Sequence, residues 1–452
     1  MVLTFALGSL SSSAQPKYVV NNLGLAGGAT TSTSALAINN AGQVTGNSNV
    51  GPGVSSRAWR TAPNSPINPA TDLIPLPTGG VTSGLLWNSI NSSGQVTLFV
   101  VSDSNVQHAF RFDTDGSIHD LGTLGGTGNT SRGFAINDSG QVAGDSTSFV
   151  TACSGIGGRN AFRTSPNLPI APATDGLGTL LTPPCRSSFA FGMNNVGDVV
   201  GSSSAMSVST PQSHAFLAAP GHAMQDLGVL GVSPGAPDAQ ISSSANAINN
   251  SGQIVGSSTY NHPASVPFNA VHAFLTTATG PMQDLGTLGG NSSSAAGINA
   301  SGQIVGRSTT TGEVATHGFL YSGGIMYDLN NLVTGSSMEI NVVFSINDLG
   351  QIVGTAGGMD GTGIAVRLDP SDVAVSVLGT QVINLGLPNG TQTSLLSKLR
   401  DAIAAIQISD YSTAMGDLGA FINAVNAQSG KKISPTDATA LIAAANNILS
   451  AL

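Results

Sequence analysis

The sequence predicts an all-β seven-bladed propeller followed by a small all-α three-helix bundle. Three recurring phrases carry the first prediction, and a change of periodicity carries the second. The first phrase reads Ala37-Ile38-Asn39-Asn40-Ala41-Gly42-Gln43-Val44. It returns seven times, starting at Ile38, Ile90, Ile136, Met193, Ile248, Ile298 and Ile346, 46 to 57 residues apart. The second phrase is His108-Ala109-Phe110, with copies at His214, His272 and His317 and weaker ones at Arg57, Asn160 and Ile364. The third is Asp120-Leu121-Gly122-Thr123-Leu124-Gly125-Gly126, close at Asp226 and Asp284 and looser at Asp72, Asp175 and Asp328.

Each phrase has a physical reading. An apolar residue ends one strand. Asn, a small residue and Gly then make a tight turn, in which Asn tolerates a left-handed backbone and Gly takes positive φ without strain. Gln-Val-x-Gly alternates polar and apolar, as a half-buried strand should. A hairpin, a His-Ala-Phe strand and an Asp-Leu-Gly strand make four short strands in about 50 residues, the size of a propeller blade. The seventh unit lacks a convincing Asp-Leu-Gly strand, and residues 18–24 supply a spare one. The rival for that place is the segment 373–378. Closure of this kind removes exposed sheet edges. Two Pro-rich connections, residues 60–72 and 163–175, are nearly identical and read as surface extensions or contact loops.

After Leu378 the period changes. Residues 371–390 read as a linker, with Gly and Pro between 381 and 389. Leu395, Leu399, Ile403 and Ile406 then recur at helical spacing. A second amphipathic stretch carries Leu418, Phe421, Ile422 and Val425 and stops at Gly430. A third opens on Ser434-Pro435-Thr436-Asp437, with Ser as N-cap and Pro at the first helical position. The predicted domains are 1–14, 15–370, 371–390 and 391–452.

The repeat phrases resemble the HAF repeats of bacterial extracellular proteins, over residues 18–368. Ser394-Leu395-Leu396, Ala420-Phe421-Ile422-Asn423-Ala424-Val425 and Ala438 to Ala445 are similar to a FIMAH module. These resemblances imply a secreted or cell-surface location and an appended, non-catalytic interaction or attachment module; the residues themselves show no catalytic motif and call for no cofactor. Residues 1–14 look like the later part of a signal peptide without its positive region. Cys153 and Cys185 admit a disulfide, worth roughly 3–4 kcal/mol on the chain-entropy model; two unrelated buried thiols are the other reading.

Only 8% of residues are charged and the net charge is −9. No basic stripe exists to neutralise a phosphate backbone, which argues against nucleic acid. No apolar run reaches the roughly 18 residues of a membrane-spanning helix. Four pairs recur in register: His108 with Asp120, His214 with Asp226, His272 with Asp284, and His317 with Asp328. Their repetition favours hydrogen bonds that lock the sheets, since an active site needs one constellation. His119, His222 and His262 read as surface loop residues, Glu313 and Glu339 as isolated, and Trp59 and Trp87 as packing residues. Serine elbows, phosphate loops and calcium-loop carboxylates are missing. The sequence therefore predicts a binding protein for glycans or another surface polymer. A hydrolase or lyase on the central face and a purely structural surface protein are the alternatives.

Overall fold

The computed structural model describes residues 15–26, 32–49, 56–77, 80–83, 88–102, 106–125, 129–148, 158–181, 187–205, 212–231, 241–260, 270–357 and 363–452. Two compact units result: Asn21–Asn330 with Met338–Arg367, and Met1–Val20 with Asn331–Ser337 and Leu368–Leu452. Cys153, Cys185, Trp87, His262 and residues 1–14 lie outside the described residues.

The larger unit is β-structure built from the three phrases. Every copy of the first forms a hairpin in one shared register. Ile38 faces Val44, Ile90 faces Val96, Ile136 faces Val142, and Met193 faces Val199. Ile248 faces Ile254, Ile298 faces Ile304, and Ile346 faces Ile352. The His-Ala-Phe strand pairs antiparallel with the second strand of its hairpin, and a short Asp-Leu-Gly strand follows on its far edge. The described strands form six sheets, one of which spans the fifth and sixth repeats through the parallel partners Val271 and Ser292. In the last sheet the order is Tyr18–Asn22, Ile364–Pro370, Ile352–Ala356, Ile340–Ile346. The N-terminal strand thus takes the outer place, and Leu23 N–H donates to the Ala365 carbonyl at 3.0 Å.

Sequence explains why the hairpins share a shape. In six of the seven first strands the register slips by one residue, between Ala35 and Ala37, for example, or Gly133 and Ala135. Each slip is a β-bulge. Opposite it stands the Gly of Gln-Val-x-Gly, and a Cβ there would meet a backbone carbonyl at 1.8–2.2 Å. Glycine is required by that close approach. The second repeat has Leu98 instead, and its first strand is broken into Gly80–Ser83 and Ser89–Ile90. Beside the glycines lie Trp59, Phe162, Phe216, Phe274 and Phe319, all fully buried. Each such side chain stabilises by about 1.5–3 kcal/mol.

The turn chemistry differs from expectation. The turn glycines, Gly42 through Gly350, do take positive φ, but no Asn of the phrase does. Those asparagines have another task, described below. Asn64 and Asn167, in the two Pro-rich connections, do adopt positive φ. Each connection folds back on its own hairpin: Asn64 N–H donates to the Gly42 carbonyl and Asn167 N–H to that of Gly140.

The smaller unit corrects the predicted linker and the helix count. Residues 371–384 are a helix, Ser371–Asn384, followed by Asn389–Gln407, Tyr411–Gln428 and Pro435–Ala451. The alternation Val373, Val375 suggested a strand. In fact Val375, Leu378 and Val382 fall at helical spacing and are buried with Leu395, Leu399, Leu418, Phe421 and Ala445. The rival strand 373–378 is therefore helical. Ser434 caps the last helix by accepting from Asp437 N–H, as its sequence predicts. Among the described residues no helix is long and apolar enough to cross a membrane.

Candidate functional site

All seven hairpin turns meet around one opening, and the repeat asparagines build it. Asn39, Asn91, Asn137, Asn194, Asn249, Asn299 and Asn347 are 2–6% exposed. Each Oδ1 accepts the backbone N–H four residues on, at 2.8–3.0 Å. Each Nδ2 donates one hydrogen to the side chain of that same residue, a Gln or Asp198, at 2.8–3.1 Å. The other hydrogen goes to the main-chain carbonyl of the next repeat's Asn, at 3.0–3.3 Å. The series ends where it began: Asn347 donates to the Asn39 carbonyl at 3.0 Å, across 308 residues of chain. Seven buried amides thus form one closed circuit with both donor hydrogens engaged, as buried polar groups require.

Sequence reasoning assigned these residues to turn conformation and missed the circuit. A signal existed. The Asn is constant in all seven copies, while the next residue varies: Asn40, Ser92, Asp138, Asn195, Asn250, Ala300 and Asp348. Those seven following residues are exposed and rim a mouth of about 200 Å³. They form an outer, incomplete circuit. Ser92 N–H donates to Asp138, Asp138 N–H to Asn195, Asn195 N–H to Asn250, Ala300 N–H to Asp348 and Asp348 N–H to Asn40, at 2.8–3.0 Å. Amide hydrogens of Asn40 and Asn195 complete the carboxylates of Asp348 and Asp138 at 2.7 Å. Burial raises the Asp138 pKa, but hydrogen bonds from Ser92 and Asn195 outweigh it and hold the carboxyl below the usual range.

Beneath the asparagines, Ile136, Met193, Ile248, Ile298 and Ile346 line both this mouth and a deeper cavity of about 370 Å³. At its wall stand the residues at the bulges: Leu36, Phe134, Phe191, Asn246, Ala296 and Phe344, with Asn88 in the broken strand. A bulge re-aims a side chain, and here it re-aims the variable one. Phe134 and Phe191 meet with ring centroids 5.9 Å apart, tilted by 44°.

The recurring His–Asp pairs lie elsewhere; none of them lines either cavity. His108, His214, His272 and His317 place Nδ1 2.7–2.9 Å from Asp120, Asp226, Asp284 and Asp328. The first three carboxylates also accept the N–H of Gly122, Gly228 and Gly286. The carbonyls of those glycines accept a buried serine hydroxyl of the following repeat, Ser131, Ser243 or Ser293, at 2.5–2.6 Å. Asp-Leu-Gly is thereby a three-part latch between neighbours. The Asp120 bond raises the His108 pKa above its ordinary value, against the effect of burial. Two single residues also differ from expectation. Glu339 is not isolated but approaches His317 Nε2 at 3.2 Å, and His119 is on the strand Ile118–Asp120 beside Asp113 at 3.0 Å. Expectation held for two others: Trp59 is core, and His222 is exposed in a turn. No group of three or more His, Cys, Asp or Glu able to hold a metal exists among the described residues.

Residues 184–367 match a family described as protein of unknown function (DUF3466). No HAF-repeat or FIMAH family matches. No curated protein matches. Among solved structures, similarity extends to a lectin from Burkholderia pseudomallei, with 12% identity over 75% of this chain and 96% of that one, at a TM-score of 0.34. A Trypanosoma rangeli sialidase is 10% identical over 78% of this chain and 58% of its own, at 0.33. A polysaccharide lyase of the ulvan lyase type is 11% identical over 78% and 86%, at 0.26.

Proposed function

We propose that the seven repeat units close into a seven-bladed propeller and that the protein is a non-catalytic, extracellular binding module for hydroxyl-rich ligands such as glycans. The closed amide circuit supports the ring. It joins each repeat to the next and the last to the first. The observation that carries the binding reading is the rim above it. Amides, a serine hydroxyl and two carboxylates from different repeats converge on one opening, in positions fixed by hydrogen bonds to neighbouring repeats. Such pre-set donors and acceptors match sugar hydroxyls at low ordering cost. Asp138 is held ionised, which suits acceptance from a hydroxyl and unsuits it to general acid catalysis.

A hydrolase or lyase is the second reading, favoured by Asp138 and Asp348 sharing the rim. One experiment separates the two. The full chain is screened on a glycan microarray and its best ligand titrated calorimetrically, with Asn250→Ala, Asp138→Asn and Asp348→Asn alongside. The binding reading expects weaker affinity in Asn250→Ala and an unaltered glycan after prolonged incubation with the wild-type protein. Cleavage abolished by Asp138→Asn or Asp348→Asn would establish the enzyme instead. Absence of binding on the array leaves the structural-protein alternative.

A further inference from the structure

We propose that the deeper cavity is a second binding site, separate from the rim, for a small carboxylate with an aromatic or alicyclic body. Its volume of about 370 Å³ falls near the lower end of the roughly 300–1,000 Å³ typical of small-molecule pockets. Tilted Phe134 and Phe191, with Phe344, offer apolar faces to such a body. Among the described residues Arg307 is the one ionisable group on the wall, and it makes no hydrogen bond or ion pair there.

Comparison between repeats shows why that charge matters. Arg307 follows Gly306 as Asp145 follows Gly144, and the two occupy the same register opposite the first strand. Asp145 is fully buried and its charge is met inside the fold by Arg132 and Arg159. Arg307 faces Ser294, which carries no charge to meet it. The sixth repeat leaves a guanidinium available at the position where the third neutralises its own carboxylate. A planar guanidinium is suited to bidentate recognition of a carboxylate.

Asn88 supplies an independent sign of a ligand. It lines the same cavity, is 5% exposed, and donates Nδ2 to the Gly46 carbonyl at 2.9 Å, yet its buried Oδ1 has no hydrogen-bond partner. An unmet buried acceptor is costly, and a ligand hydroxyl or N–H would satisfy it once the amide turns toward the cavity. The site therefore favours an acid that also carries a donor.

The test is calorimetric titration of the full chain with 4-hydroxybenzoate, cyclohexanecarboxylate and glucuronate, beside the neutral ester methyl 4-hydroxybenzoate. At least one acid should bind, 4-hydroxybenzoate better than its ester. Arg307→Met should weaken that acid roughly 10- to 100-fold, the loss of a charge-assisted hydrogen bond. Arg307→Lys should recover part of it, and Phe191→Ala should also weaken binding. Because Arg307 is exposed, the melting temperature of Arg307→Met should match wild type. Asn250→Ala, at the rim, should leave acid binding unchanged, so failure here and failure of the glycan reading are told apart. Binding of none of the acids, or acid binding indifferent to both Arg307→Met and Phe191→Ala, would overturn the proposal.

Discussion

Two rings of residues, a few positions apart on the same strands and turns, obey opposite rules. The asparagine ring is identical in all seven repeats, buried, and hydrogen-bonded from each repeat to the next. The second ring holds Leu36, Phe134, Phe191, Asn246, Ala296 and Phe344 at the bulges, with Asn88 in the broken strand, and lines a cavity. The constant ring carries the architecture. The variable ring is free to carry recognition, because its backbone is already fixed by the glycines opposite the bulges and the amides above.

The sharpest break in that comparison is a glycine that permits the bulge. Gly256→Ala would place a Cβ 1.9 Å from the Ser244 carbonyl. A loss of at least about 2–3 kcal/mol is expected, since backbone rather than a flexible side chain must move. Urea denaturation of the full chain measures it. Next comes the circuit itself. Asn137→Ala removes two donors and one acceptor from a buried site and strands the Asn194 carbonyl, a cost of about 2–3 kcal/mol. Asn250→Ala, an exposed neighbour of that circuit, should cost less than about 0.5 kcal/mol. Equal effects from the two would deny the distinction between ring and rim.

The smallest expected effect comes from pH, at the His–Asp latches. The His108 imidazole is held above its ordinary value by Asp120, so its contribution is full below about pH 6.5 and lost as pH rises through the raised value. For Asp120, Asp226 and Asp284, burial raises the pKa but bonds from His and the turn glycine lower it more. Their contribution is present above the ordinary carboxylate value and fades as pH falls through the lowered one. Stability of the repeat unit should therefore plateau between the two limits. His108→Gln should flatten the alkaline limb by a few tenths of a kcal/mol, the scale of exposed pairs. A limb unchanged in that variant would assign the pH dependence elsewhere.

How much of this was legible follows from the physics of each part. Hairpins, third strands and outer strands could be read, because turn glycines and alternation are local signals. Spare strand 18–24 could be placed, since the seventh unit lacked one. The amide circuit could not be read as such: the sequence shows that Asn39 and Asn91 recur, but their bond spans 52 residues and only the packing of one repeat on the next makes it. Bulges were not read either: Phe134, Ala135 and Ile136 are all apolar, so the sequence does not show which of them the register slip turns aside. In the smaller unit, β-branched Val373 and Val375 masked a helix that packing with Leu395 and Leu399 decides. Arg307 drew no notice in the sequence, since only its register opposite Ser294 shows it without a counter-charge.

The most direct test of the closed ring uses its seam. Asn40 and Asp348 are linked by two hydrogen bonds, of 2.7 and 2.9 Å, though 308 residues apart. With Cys153 and Cys185 replaced by serine, Asn40→Cys and Asp348→Cys are introduced together and treated with a short bismaleimide. Rapid intramolecular crosslinking of the folded chain, far faster than for a Asn195→Cys, Asp348→Cys pair and abolished in urea, is the predicted result. Crosslinking no faster than that control would show that the first and last repeats do not meet, and the ring would be contradicted.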